Sequence, residues 1–231
     1  MDSLIVFIFG VCIGSFLNVL IDRLPHDESI NGRSHCDYCK KKITWYDLFP
    51  VVSFFILRGK TRCCHKKLSF QYPLIEFITG VMFVVIFKDS PYIESLTRTV
   101  LMASIISTLI VIFVSDLKYQ LISDYMLLAL FIFSLFFKFD ILSGLLVALP
   151  IFLIYFISKE RAMGLGDVYL SAIMGFLLGW KAGFIALYIA FVTGAIFGLT
   201  LILFKNKKLK SKVAFGPFLV IGTIIMLFWH L

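Results

Sequence analysis

The chain has 231 residues, of which 60% are hydrophobic, including 26 Phe, and only 16% are charged. A soluble domain of this length does not need so much apolar surface, and uncharged runs of about 17–25 residues are candidate membrane spans. The formal net charge of +8 would suit a nucleic-acid partner, but the basic residues cluster in alternate loops between apolar runs, so the charge reads as topology and no nucleic acid is expected.

The first run, "MDSLIVFIFGVCIGSFLNVLIDRLP", has Asp2 where a secretory signal carries basic residues, and no small-residue cleavage site follows. It reads as a retained span over 4–21. Gly14, Ser15 and Asn18 form a small, polar stripe on it that suits helix contact. Cys12 reads as ordinary packing.

Residues 22–69 break the apolar pattern and carry Cys36, Cys39, Cys63 and Cys64. "CDYC" is a two-residue-spaced pair, and "RCCH" returns further on. Cytoplasmic thiols are normally reduced, so a metal suits these residues better than disulfides. Zinc takes four thiolate or imidazole ligands in a tetrahedron, and a small loop without a core gains folding energy from it. The second half is irregular. Thr61 stands where a pair would begin, so the fourth ligand is Cys63 or His65; reduced cysteines without metal are the alternative. Between the pairs, "ITWYDLFPVVSFFILRG" is interrupted by Asp47 and Pro50. It reads as an interfacial or re-entrant helix.

Further spans are expected at 70–87, 99–115, 121–137, 140–157, 165–180, 183–204 and 213–230. The fold class is all-α: a polytopic bundle of about eight transmembrane helices with a small cysteine-containing loop domain. The organisation is 1–21 first helix, 22–69 cytoplasmic loop, and 70–231 helical bundle. Loops on one side hold most of the Lys and Arg, including "KNKKLKSK" at 205–212, which suits lipid headgroups. The opposite loops hold only Lys88, Arg98, Lys138 and Lys181. Basic loops face the cytoplasm. That puts 22–69 and Lys208 inside, and both termini, Asp89 and Asp140 outside.

Acids at membrane depth usually mark a pathway or a reaction. Asp140 sits in an outer turn and reads as solvated. Asp124 reads as a helix cap after Ser123. Glu76 reads as a first-turn acid favoured by the helix dipole, or as a contact for a cofactor or amine. Asp116, in "FVSDLKYQLISD", ends one span, and Asp167, in "GLGDVYL", begins another. Both fall at cytoplasmic helix ends, so the two can meet. An ionised carboxylate then takes a proton from water while its protonated neighbour donates to a scissile carbonyl. Gly164 and Gly166 allow close approach of backbone or substrate. Paired acids would also suit a proton-coupled transporter, although the internal repeat common in such folds is not seen.

The order of these segments resembles the bacterial type IV prepilin leader peptidases. "GSFLNVLIDRLP" is similar to that family's N-terminal signature. The stretch from "CDYC" through Tyr72, Pro73, Glu76 and Gly80 is similar to its cysteine loop and second span, and "SDLKYQLISD" and "GLGDVYL" to its two aspartate motifs. The resemblance implies an aspartic endopeptidase of the GxGD type with Asp116 and Asp167 as the catalytic pair. It implies prepilin or pseudopilin substrates, whose basic leader is cut at the cytoplasmic face of the bacterial inner membrane. It also implies N-methylation of the new terminus with S-adenosylmethionine, and structural zinc. Three positions depart from the pattern: Ser123 for proline, Tyr169 for lysine, and Thr61 for the third cysteine. A rival within the GxGD class would act on archaellin-like or unrelated signals, but the cysteine loop argues against it.

Overall fold

A computed structural model describes residues 3–36, 38–88, 96–137, 140–160, 163–205 and 214–229, without the side chains of Ile202 and Lys205. Asp89, Lys138 and Lys208, with most of the 205–212 basic run, lie outside the described residues.

Every extended element among the described residues is helical. They are α1 (Ser3–Arg23), α2 (Val52–Ile56), α3 (Gln71–Lys88), α4 (Leu96–Tyr119), α5 (Asp124–Phe137), α6 (Ile141–Ser158), α7 (Leu165–Lys205) and α8 (Gly216–Trp229), with short 3-10 turns at Leu24–His26 and Trp45–Leu48. All-α suits a chain whose uncharged runs are of spanning-helix length, because a helix satisfies its backbone hydrogen bonds internally.

Among the described residues, five helices are long and apolar enough to cross a bilayer: Ser3–His26, Gln71–Lys88, Leu96–Tyr119, Ile141–Ser158 and Leu165–Leu201. α5 and α8 have 14 residues each. At 1.5 Å per residue that is about 21 Å, short of a hydrocarbon core about 30 Å thick. The expected spans 165–180 and 183–204 form one 41-residue run, α7, broken at Gly179 (φ 79°, ψ 165°). That conformation is open essentially to glycine alone. The chain can therefore turn there without a loop, at the place where the two spans were expected to part, beside Lys181.

The chain divides into two compact units, Met1–Ala103 and Ser104–Leu231. In the first, α1 packs along α3. The contact is close because small residues line it: a Cβ on Gly14 would stand 2.7 Å from Glu76 Cα, and one on Gly80 would stand 2.7 Å from Val11 Cγ2. Asn18 is buried there and donates to the carbonyl oxygens of Tyr72 (3.2 Å) and Gly14 (3.3 Å). The small, polar stripe thus faces another helix as expected. Cys12 is exposed on α1 rather than packed.

In the second unit α7 is the central element, with α6 and α8 packed along it and α5 in lesser contact. Asp140 caps α6, accepting from Ser143 N (3.4 Å) and Ser143 Oγ (2.5 Å). It is exposed, and it has a capping role beyond solvation.

Candidate functional site

Asp116 lies one turn before the end of α4, where Gln120 takes a left-handed conformation (φ 53°) and its N–H donates to Asp116 O at 3.0 Å. The short connection 120–123 then leads into α5. Asp167 is the third residue of α7. Its backbone N–H donates to Gly164 O, and the Gly164 N–H donates back to Asp167 Oδ2, each at 3.2 Å. This reciprocal pair fixes the carboxylate at the helix start, where the unpaired N–H groups favour an anion.

Both acids are buried, Asp116 to 5% exposure and Asp167 to 8%, and they lie close enough to interact electrostatically. The carboxylate of Asp116 is approached by the backbone N–H of Gly216, the first residue of α8. Its Oδ2 has no hydrogen-bond partner among the described residues, and neither has the neighbouring Ser115 Oγ. Buried polar atoms are normally satisfied, so an unpartnered oxygen on a carboxylate that interacts with a second acid is a place for water or a polar substrate atom. Ile122 packs between the two acids' supports. A Cβ on Gly166 would stand 3.2 Å from its Cβ and Cδ1, and one on Gly216 would stand 3.2 Å from its Cδ1.

The arrangement draws on α4, the 120–123 turn, α7 and α8. The first and third of these were expected from the aspartate motifs; Ile122 and Gly216 were not. The available signal was "FGPF", a glycine followed by proline at the first turn of a helix, which sets a clean helix start after a basic run. Asp124 is exposed as the first residue of α5 and does not join the buried pair.

In the first unit, Glu76 is buried, and it is the sixth residue of α3, beyond the first turn. Its Oε2 accepts the backbone N–H of Val51 at 2.6 Å, and the Ser15 hydroxyl also reaches it. Val51 has φ 60° and ψ −52°, a strained conformation for a β-branched residue. Glu76 therefore clamps the Pro50–Val51 corner to α3, a role that the dipole argument did not foresee. Trp45, Tyr46, Phe49, Val52, Phe55 and Ile56, on either side of this corner, are all exposed.

The cysteine loop forms two turns that bring Cys36, Cys39, Cys63 and Cys64 together, with all four Sγ atoms within 4.8 Å of one another. His65 is not in the group. The Sγ separations are 3.7 Å for Cys36–Cys64, 3.9 Å for Cys63–Cys64 and 3.1 Å for Cys39–Cys63. Zinc–sulfur bonds near 2.3 Å give tetrahedral edges of about 3.8 Å, which two of these distances match. Cys63 is exposed and free to adjust the third. Without metal the thiols differ in acidity. Hydrogen bonds from the Thr61 hydroxyl and then the Lys66 N–H bring Cys64 down to about 7, whereas contact with Cys39 pushes Cys63 up to about 12. Arg62 links this turn to the 3-10 turn by a forked ion pair with Asp47, at 2.9–3.1 Å.

Comparison with known proteins gives the chain a family. Residues 8–90 match the Bacterial Peptidase A24 N-terminal domain, and residues 103–199 match the Type IV leader peptidase family. The chain is similar to the prepilin leader peptidase/N-methyltransferase of Aeromonas salmonicida (strain A449), at 31% identity over 97% of this chain and 90% of that protein. It is also similar to those of Legionella pneumophila (30%; 98% and 91%) and Bacillus subtilis strain 168 (30%; 96% and 92%). None of these relatives is named as a transporter, and no solved structure matches the chain. The chain belongs to the type IV leader peptidase family.

Proposed function

We propose that this protein is a membrane aspartic endopeptidase that removes the short basic leader of type IV prepilins or pseudopilins, with Asp116 and Asp167 as its catalytic pair. The observation that carries the reading is the buried meeting of these two acids, with Asp116 Oδ2 unpartnered. Water adds to the scissile carbonyl carbon as one carboxylate takes its proton. The other carboxyl group donates its proton to the carbonyl oxygen, and the C–N bond then breaks as the amine is protonated. The backbone N–H of Gly164 holds Asp167, and that of Gly216 holds Asp116. Co-expression with a pseudopilin should give a smaller, leaderless product on a gel. An unprocessed pseudopilin beside well-inserted protein would overturn the assignment.

The names of the relatives support N-methylation of the new terminus with S-adenosylmethionine as donor. Glu76, the buried acid of the first unit, is already engaged by Val51 and Ser15, so it is not a free contact for that cofactor. No step is assigned to it. The cysteine group suits zinc. Cys36, Cys39, Cys63 and Cys64 would hold the ion, which would cross-link a loop that has little core of its own.

The bundle lies in the bacterial inner membrane, with residues 22–69 as a cytoplasmic domain and the acid pair beside the cytoplasm; a count of about eight spans takes α7 as two and includes the short α5 and α8. Basic loops on one side support this orientation, and lipid surrounds the exposed apolar faces. A reporter at Lys42 should read as cytoplasmic and one at Asp140 as external. A cytoplasmic signal at Asp140 would reverse the orientation of the bundle.

The exposed aromatic segment around Val51 rests in the bilayer interface, held at that depth by Glu76. In vesicles, protein that keeps Trp45 and carries Trp180→Phe and Trp229→Phe should show quenching by brominated lipid. Emission unaffected by brominated lipid would mean that the segment faces water or protein.

A further inference from the structure

The two cysteine turns repeat one another in their described residues, with 34–36 and 38–43 mapping onto 59–61 and 63–68. In the first turn, Cys36 N donates to Lys41 O (2.9 Å), Lys40 N to Cys36 O (2.8 Å) and Ile43 N to Ser34 O (2.9 Å). In the second, Thr61 N donates to Lys66 O (2.8 Å), His65 N to Thr61 O (2.9 Å) and Leu68 N to Gly59 O (2.8 Å). An isolated bridge closes each, His35 with Lys42 and Lys60 with Lys67. The left-handed residue also recurs, as Lys40 (φ 56°) and His65 (φ 55°).

In this alignment Cys39 corresponds to Cys64, and Cys36 corresponds to Thr61. Both first positions are buried, Cys36 to 2% exposure and Thr61 to 8%. Thr61 Oγ1 accepts from Lys66 N (3.1 Å) and lies 3.1 Å from Cys64 Sγ, so the hydroxyl occupies the slot from which a first thiolate would reach the ion. A neutral hydroxyl is a poor zinc ligand beside three thiolates. Cys63 corresponds to Tyr38, an exposed position with no part in the first turn's sulfur pair, yet its Sγ lies against those of both Cys39 and Cys64.

We infer that the second turn has shifted its first metal ligand by two residues, from the buried position now held by Thr61 to the exposed Cys63. This rests on the zinc reading above. The fold of the turn is kept by the backbone, and the missing thiolate is supplied from the side facing solvent. Thr61 becomes a positioning residue, whose hydroxyl hydrogen-bonds the Cys64 sulfur, as outer partners of metal ligands do.

The test is a ligand swap on the full-length protein in detergent, read by metal content and by the cobalt(II) absorption spectrum. Wild type should hold about one ion per chain with a four-thiolate cobalt spectrum. Cys63→Ser should weaken zinc retention against a chelator at least about tenfold and reduce the sulfur-to-cobalt charge-transfer band. Thr61→Cys combined with Cys63→Ser should restore both, because the thiolate returns to the slot that the turn was built around. His65→Ala should change neither. Full zinc retention and an unchanged cobalt spectrum in Cys63→Ser would overturn the inference while leaving the zinc reading intact. Failure of the double variant to recover, in protein whose loop resists protease like wild type, would also overturn it. Wild type that binds neither ion would remove the zinc reading and the inference together.

Discussion

Asp167→Asn and Asp116→Asn should each abolish leader cleavage, by about 10⁴-fold or more, while the protein still accumulates in the membrane. Asparagine keeps the shape of the side chain, so the Gly164 N–H can still bond an amide oxygen at position 167. It cannot take a proton from water or return one to an oxygen. On the proposed mechanism the two acids act as one unit, and both are buried, at 5% and 8% exposure. Loss of either removes the whole proton exchange, and the double variant should be no worse than the single ones. Asp124→Asn supplies the contrast within the same short segment. Asp124 is exposed at the start of α5, where asparagine serves about as well as aspartate, and most activity should remain. The measurement is the fraction of processed pseudopilin on a gel, normalised to the amount of inserted enzyme. Normal processing by Asp167→Asn would sink the aspartic mechanism. Loss of processing by well-inserted Asp124→Asn would move the second acid along the chain.

What could be read in advance followed from residues whose cost in lipid is high. Asp116 and Asp167 stood out because a carboxylate beside an apolar run requires a partner, and their matching depth followed from helix boundaries set by hydropathy. The cysteine group was legible for a similar reason: four thiols in a loop without a core have few structural uses. The features that escaped are those made by backbone. The break at Gly179 falls where spans 165–180 and 183–204 were expected to part, beside Lys181, but its form escaped: the chain turns through one positive-φ glycine rather than a loop. The clamp between Glu76 and Val51 joins a side chain to a backbone N–H across the loop, and such a bond has no sequence pattern. Whether Cys63 or His65 lies with the other three thiols depends on how the two turns fold against each other, which spacing alone does not give. Gly216 belongs to the same class. Its importance lies in the absence of a side chain, and nothing in "FGPF" says which atom comes close.

That absence makes Gly216→Ala the sharpest steric test of the site. A Cβ there would stand 2.5 Å from Asp116 Oδ2 and 3.2 Å from its Cγ, while ordinary carbon contacts lie near 3.5–4.0 Å. The carboxylate or the start of α8 must move, and both are confined. Asp116 is buried in α4, and α8 is packed along α7 with Pro217 and Phe218 buried in its first turn. A displacement of about 1 Å in a catalytic group can lower the rate about 100-fold, so Gly216→Ala should process pseudopilin at least that much more slowly while inserting normally. The motif glycines give a graded comparison. A Cβ on Gly166 would meet Ile122 at 3.2 Å, which calls for a shift of a few tenths of an ångström in a side chain. A Cβ on Gly164 would come no nearer than 3.9 Å to Asp167 Oδ2, an ordinary contact. Gly164→Ala should therefore retain most activity, although it belongs to the motif, whereas Gly216→Ala, outside any motif, should not. Gly198→Ala, with open space around the added carbon, serves as the control for inserting a methyl group into this unit. Cleavage rates that ranked Gly164→Ala below Gly216→Ala would mean that substrate backbone, rather than the Asp116 carboxylate, needs the space. Equal, unimpaired rates for all four variants would place the reaction away from Asp116 altogether.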